Sequence, residues 1–227
     1  MKKNEETLLL HPIAYARNGF TDKFGIPRQS RPDSVIETHI VFEPSYRHEE
    51  ALRGIDTYTH LWLIWGFSAN NEAASPDHLT VRPPRLGGNR RVGVFATRSP
   101  FRPNPLGLTS VRLLRVENGE LIVSGADLMD GTPIYDIKPY LPYSDAHPEA
   151  SNGLAAETHD YQLNVVGLEG VEPLSERAAL QEILQQDPRP AYQHDPDRIY
   201  GLDYGGWNVQ FKVQENTLYV VKTSKTA

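Results

Sequence analysis

The chain has 227 residues, a formal net charge of −6 at pH 7, no cysteine and a hydrophobic fraction of 39%. That length suits one large domain or two smaller ones, and the apolar content is enough for a buried core. Missing thiols exclude disulfides, thiolate zinc sites and cysteine nucleophiles, and the acidic balance argues against indiscriminate coating of nucleic acid while allowing one local basic patch. No apolar stretch that would serve as a secretory signal follows MKKNEE, and the longest apolar run, residues 61–67, is too short to span a bilayer. A soluble protein is expected, and the lack of cysteine is compatible with the cytoplasm.

In chain order, residues 8–16 and 34–43 are rich in β-branched and aromatic side chains and predict strands. Between them KFGIPRQSRPDS, residues 23–34, holds one Gly, two Pro and three cations, which mark a loop. Residues 45–53 predict a short helix capped by Ser45 and stopped at Gly54. HLWLIWGF, residues 60–67, is a continuous apolar run, the pattern of a strand buried on both faces. Residues 91–96 predict another short strand. LTSVRLLRV and LIVS flank Asn118-Gly119, a pair that readily takes the positive φ angles of a type I′ turn, so residues 108–124 predict a β-hairpin. Residues 142–160 are small and polar, a linker or exposed loop. A strand is expected at 161–166. A helix is expected at 174–186, capped by Ser175, with Leu180, Ile183 and Leu184 on one apolar face and Asp187-Pro188 ending it. Trp207, Val209, Phe211 and Val213 alternate with polar residues, a half-buried strand, and residues 218–221 would pair with it across Glu215-Asn216. The expected organisation is mainly β: an N-terminal domain over residues 1–145, a linker over 146–160, and a small α+β domain over 161–227.

The chemistry concentrates in residues 82–140. Residues 78–116 contain no Asp or Glu yet eight Arg, so an acidic protein carries its positive charge in one region, a candidate anion-binding face. A solvated loop with no such role is the alternative. The Arg-rich loop feeds the hairpin, whose second strand leads into GADLMDGTP, so both segments should lie at one end of a sheet. The common nucleotide-binding and hydrolase signatures are absent: there is no G-x-G-x-x-G after a strand, no G-x-x-x-x-G-K-[ST] and no G-x-S-x-G. The histidines lack metal-ligand spacing. Asp127, Asp130 and Asp136 fall within ten residues, followed by Lys138 and Tyr140. A metal site there is conceivable, although the spacing is not a Ca²⁺ loop and Lys138 would compete for the carboxylates. Asp130-Gly131-Thr132-Pro133 favours a turn, which explains the backbone but not the density of functional side chains.

VRPPRLGGNRRVGVFATRSPFRPNPLGL (81–108), DLMDGTPIYDIKPYLPY (127–143) and QDPRPAY (186–192) resemble the landmark segments of the tRNA adenine-N6 methyltransferase O family, as do FGIPRQ (24–29) and THLWLIWGF (59–67). The resemblance runs in order through most of the chain; residues 145–157 match nothing in it. It implies a barrel-like N-terminal domain that binds S-adenosylmethionine without a Rossmann fold. It also implies a homodimer with sites near the subunit boundary, and methylation of N6 of threonylcarbamoyladenosine at tRNA position 37. The expected partner is tRNA, with no DNA, no membrane and no metal.

On this reading Pro27, Arg28, Gln29, Phe67, Ser68, Ala69, Arg98, Leu108, Gly125, Ala126, Asp127 and Leu128 surround the cofactor. Arg85, Arg90, Arg91, Arg102, Arg189 and Tyr192 hold the RNA, because guanidinium binds carboxylate and phosphate bidentately. The reacting nitrogen belongs to a urea, a poor nucleophile, so a base drawn from Asp127, Asp130 or Asp136 would help. Asp130 ranks first because Gly131 permits a tight turn that presents it, with Lys138 and Tyr140 beside the chemistry; Lys138 suits an ion pair or an anion better than a base. QDPRPAY, stiffened by Pro188 and Pro190, would complete the site from the same or the partner subunit. Two other readings stand beside this one: a non-catalytic RNA-binding module using the Arg-rich loop, and a metal-dependent hydrolase built on the Asp cluster.

Overall fold

The structure, a computed structural model, describes residues 8–21, 23–27, 29–31, 33–68, 79–83, 90–158, 161–189, 193 and 195–226. In chain order the first part holds β1 (Ala14–Arg17), β2 (Glu37–Phe42), α1 (Glu49–Leu52), β3 (His60–Gly66), β4 (Thr80–Val81), β5 (Val92–Gly93), β6 (Leu106–Glu117), β7 (Glu120–Ser124), β8 (Pro133–Pro139) and α2 (Pro142–Asp145). There follow β9 (Asn164–Val166), α3 (Leu174–Gln185), β10 (Tyr200–Tyr204), β11 (Trp207–Gln214) and β12 (Thr217–Lys225).

Six strands close into an antiparallel barrel in the order β1-β2-β7-β6-β3-β8, while β4 and β5 form a separate pair. Alternate residues fill its interior: Ala14 and Ala16 from β1, Ile40 from β2, Leu61 and Leu63 from β3, Val111 from β6 and Ile134 from β8. Closure removes the free edges an open sheet would expose. It also explains why residues 60–67 are not buried on both faces. In β3, Leu61, Leu63 and Trp65 turn inward, whereas Trp62 and Ile64 are half-buried on the outside, because a barrel strand has a single interior face. The β6–β7 hairpin turns at Asn118 and Gly119 with φ of 53° and 75°, the left-handed values the pair was expected to supply.

Other boundaries shift for local reasons. Helix α1 is a single turn whose N-cap is His48, so Ser45 caps nothing. The strand expected at 91–96 ends at Gly93, and Val94–Ala96 tightens into a 3-10 turn. The polar stretch 142–160 contains α2, with Pro142 in its first turn, and a 3-10 turn at Gly153–Thr158. Pro173, not Ser175, precedes α3, and no side chain caps that helix.

The second core lies between α3 and the sheet β10-β11-β12-β9, in which only β9 runs parallel to its neighbour. Leu180, Ile183 and Leu184 of α3 are buried with Leu202, Val209, Phe211 and Leu218 of the sheet. Phe20 and Ile36, which lie between β1 and β2 in sequence, are buried in this same cluster, and Phe24 and Ile26 pack against it. The intervening segment is therefore clamped by the C-terminal part of the chain. The Glu182 carboxylate accepts the Val35 N–H at 2.9 Å. The Tyr204 ring lies 4.9 Å from that of Phe20, and burial pushes its phenol up to about 12. Gly25 has φ of +96°, and a Cβ there would stand 2.3 Å from Leu202, so the close approach requires glycine.

Candidate functional site

Where the clamped segment crosses the barrel, a cavity of about 790 Å³ opens, within the range of about 300–1,000 Å³ usual for small-molecule sites. Ile26, Pro27, Gln29 and Ser30 of the segment form one wall; Trp62, Trp65, Phe67 and Ser68 of β3 and the turn after it form another. The rest comes from the loop carrying Thr97, Arg98 and Arg102, the start of β6 and the stretch holding Asp127 and Met129. Trp65 faces Gly107 across the β3–β6 ladder. A Cβ on Gly107 would stand 2.1 Å from the indole, so the absent side chain is what lets the ring lie flat over the strand.

That placement sets up a hydrogen-bond chain. Trp65 Nε1–H donates to Thr109 Oγ1 at 2.9 Å, and Thr109 Oγ1–H donates to Asp127 Oδ1 at 2.6 Å. Burial pushes the Asp127 carboxyl above the ordinary carboxylate range, opposed by the Thr109 hydrogen bond and the nearby Arg98 charge. Arg98 is in turn held by Gln29 Oε1, while Arg102 donates to the carbonyls of Thr97 and Ser99 at 3.2 and 3.3 Å and folds the loop on itself. The Trp65 and Phe67 rings meet edge-on at 4.4 Å. The cavity thus combines an aromatic wall suited to a flat heterocycle, three cations (Lys23, Arg98 and Arg102), and one carboxylate set to hold a proton or accept a hydrogen bond.

Of the residues expected around a cofactor, Pro27, Gln29, Phe67, Ser68, Arg98, Leu108 and Asp127 line this cavity, together with Arg102, expected on the RNA. Ala126 and Leu128 instead face the barrel core. Gly125 has φ of +80°, and a Cβ there would stand 2.4 Å from the Arg31 carbonyl oxygen, so it is the point where the clamped segment passes over the barrel rim. Asp130 is directed elsewhere: its carboxylate accepts the Asn18 N–H at 3.1 Å and an Arg17 N–H at 3.3 Å, tying the turn to the end of β1. Asp136 is taken up by Lys138 at 2.8 Å and by the Ile137 N–H at 2.9 Å on the outside of β8. Tyr140 borders a separate, smaller hollow. Arg90 and Arg91 are exposed just before β5.

Arg189 is buried and bidentate on Asp187 at 2.8 and 2.9 Å, with the Tyr161 hydroxyl donating to the same carboxylate at 3.0 Å. Burial raises the Asp187 carboxyl, but Arg189 and Tyr161 outweigh it and leave it below the ordinary range. The guanidinium here pins the turn after α3. Arg28, Ala69, Arg85 and Tyr192 lie outside the described residues. Sequence reasoning missed Trp62, Trp65, Thr109 and Met129. The one available signal was a glycine, Gly107, inside a strand pattern, which marks close approach by another group. Among the described residues no group of three or more His, Asp or Glu could hold a metal, and no helix is long and apolar enough to cross a membrane.

Known proteins give this arrangement its context. Residues 15–146 match the sequence model of the tRNA-methyltransferase O N-terminal domain, and residues 157–226 match that of the TrmO C-terminal domain. A protein of Escherichia coli K12 named tRNA (adenine(37)-N6)-methyltransferase is 37% identical over 218 residues, covering 89% of this chain and 92% of the relative. An S-adenosyl-L-methionine-binding protein of Archaeoglobus fulgidus is 36% identical over 138 residues, 61% of this chain and 93% of that protein. A crystal structure of TrmO from P. aeruginosa superposes with a TM-score of 0.80 at 31% identity, covering 99% of this chain and 100% of that one. The chain belongs to the tRNA-methyltransferase O family.

Proposed function

We propose that this protein methylates N6 of the adenosine at tRNA position 37, using S-adenosylmethionine, and that its target already carries the threonylcarbamoyl group. The observation that carries the reading is the Trp65–Thr109–Asp127 chain opening into the cavity, in a chain of this family. The residues fit the cofactor. An aromatic and methionine-bearing wall suits its adenine ring and the apolar part of its methionine chain, and the volume is ample for its size. When bound, S-adenosylmethionine supplies a methyl group made electrophilic by its sulfonium. Trp65, Phe67 and Met129 exclude water, Pro27 and Gln29 close one side, and Arg98 offers a bidentate grip on a carboxylate.

Asp127 is the acid best placed to relieve the target nitrogen of its proton. Of the three candidates it alone lines the cavity, and its raised pKa makes it a stronger proton acceptor than an exposed carboxylate. Holding the two reactants in line supplies much of the remaining acceleration. The same reading carries a homodimer working in the cytoplasm. Phe95 and Phe101, 73% and 50% exposed on the Arg-rich loop, are large apolar side chains a second copy would cover. Sedimentation of the purified protein as a monomer at micromolar concentration would remove the dimer.

The test is mass spectrometry of tRNA nucleosides from cells with and without the gene, repeated with purified protein and isotope-labelled cofactor. One added methyl on the threonylcarbamoyl nucleoside is expected. Nucleosides unchanged in both experiments, or a methyl on another base, would overturn the assignment.

A further inference from the structure

Ser30 Oγ–H donates to the Ser110 carbonyl at 2.6 Å, and this bridge forms part of the wall between the cofactor-sized cavity and a second hollow of about 390 Å³. The second hollow has a different lining. Arg31, His60, Arg112 and Tyr140 face it, and none of its described lining residues is acidic. The Arg31 charge is already offset, because its guanidinium donates to Asp33 at 2.9 and 3.2 Å. Arg112 stands opposite His60 in the β3–β6 ladder and is exposed, and among the described residues it has neither an ion pair nor a hydrogen-bond partner. Its neighbour along β6 behaves otherwise: Arg115 is held by Glu37 at 2.9 and 3.0 Å and by Glu117 at 3.1 Å. Behind the hollow, Tyr140 packs on Trp62 with ring centroids 5.3 Å apart, and Trp62 is itself a wall of the first cavity. The two hollows therefore share a partition and one aromatic stack.

We infer that the second hollow is an oxyanion site for the RNA: Arg112 takes an anionic group next to the methylated base, and Tyr140 and His60 offer ring faces to the adjoining nucleotide. This rests on the proposed function. A nucleotide reacting in the first cavity has to leave the base stack, and its flanking groups then need a cation and an aromatic surface close by. An unpaired guanidinium in a concave, acid-free setting supplies the cation. The oxyanion has two possible sources, a backbone phosphate beside the target or the carboxylate carried on the target base itself.

The test uses full-length protein, an anticodon stem-loop RNA and the variant Arg112→Gln, with Arg115→Gln as the control on the same strand. Arg112→Gln should weaken RNA binding about tenfold and lower the slope of log affinity against log salt by about one. Its melting temperature and S-adenosylmethionine affinity should stay at wild-type values, and Arg115→Gln should bind RNA like wild type. Running the same titrations with RNA bearing unmodified adenosine at position 37 separates the sources. An equal loss on both RNAs identifies a phosphate, and a loss confined to the modified RNA identifies the base's carboxylate. Wild-type RNA affinity and salt slope in Arg112→Gln would overturn the inference, as would a parallel fall in cofactor affinity, which would make the hollow part of the cofactor site. A wild-type protein that methylates no RNA would remove the proposed function as well; Arg112→Gln matching an active wild type removes the RNA site alone.

Discussion

The two hollows either side of the Ser30–Ser110 bridge are opposites in chemistry. The larger is walled by Trp65, Phe67 and Met129 and half-buries its carboxylate, Asp127, and that burial holds the acid above the ordinary range. The smaller has cations and no acid among its described lining residues, and the acid supporting its wall, Asp145, is half-buried. Asp145 accepts the Leu141 N–H at 2.9 Å and Trp62 Nε1–H at 2.8 Å, and these two bonds, in that order, pull its carboxyl below the ordinary range. On the proposed function, the first arrangement would serve as a proton acceptor, and on the further inference the second would offer a surface against which a large, hydrated polyanion settles. One barrel end serves both because β3 and β6 each give one set of side chains to either hollow.

The largest effect that would sharpen this contrast is expected from Asp127→Asn, which should cut turnover by ~10²–10⁴-fold, the usual size of a general acid–base contribution. Cofactor and RNA affinities should change little. Asp130→Asn should be well tolerated, since Asn can hold the same turn. Single-turnover kinetics on both variants decides the matter, and a large loss in Asp130→Asn with normal rates in Asp127→Asn would reverse the assignment.

A smaller effect is expected from Gly107→Val, which drives a side chain into the Trp65 indole. Overpacking of this kind costs about 1–3 kcal/mol, and if it falls on the bound state, cofactor affinity should drop roughly tenfold or more. Calorimetry with S-adenosylmethionine measures it, and RNA affinity should fall less, because only the target base enters that cavity. Equal losses for both ligands would mean that the hollows are not separate.

Asp145→Ala should act on the other side. Freeing Trp62 and the Leu141 N–H loosens the Tyr140 wall, so the KM for RNA should rise several-fold with kcat nearly unchanged. Unchanged RNA kinetics would show that the wall holds without Asp145.

The smallest effects are in pH dependence, and their signs are opposite. The Asp127 pKa is raised in the folded state, so its stability contribution is full below the unfolded value of about 3.9 and is lost as pH rises through the folded value. Asp127→Asn should therefore gain in melting temperature relative to wild type as pH rises from about 4. The Asp145 pKa is lowered, so its contribution is present above about 3.9 and is lost as pH falls through the folded value. The deficit of Asp145→Asn should accordingly shrink on acidification. Melting curves across the acid range that show the same sign for both variants would dissolve the contrast.

Much of the fold was legible because its signals are local. Asn118-Gly119 names its own turn, Trp207 to Val213 alternate as a half-buried strand must, and Leu180, Ile183 and Leu184 share a helical face. The site was legible only where loops carry it, through the Arg and Pro of residues 97–105 and FGIPRQ. Trp65 and Thr109 were missed because their hydrogen bond joins residues 44 apart, and within their own strands they read as core. Asp127 and Asp130 are three positions apart in DLMD and chemically identical on paper. The left-handed backbone at Gly125 and Gly131 brackets them, and the tertiary partners Thr109 and Arg17 send one inward and the other outward. No spacing rule separates such a pair.

Phe20 and Ile36 are sealed by α3 and by strands that run as far as Lys225, so the wall made of Ile26, Pro27, Gln29 and Ser30 depends on residues that follow the whole barrel in the chain. During translation the barrel strands can pair once residue 139 has left the ribosome, yet the clamp on that wall must wait for the C-terminal sheet. A nascent chain arrested before residue 160 should therefore leave the amides of residues 20–36 open to hydrogen exchange while β6 and β7 are already protected. The full pocket wall would thus form only after the C-terminal sheet has closed over the segment between β1 and β2.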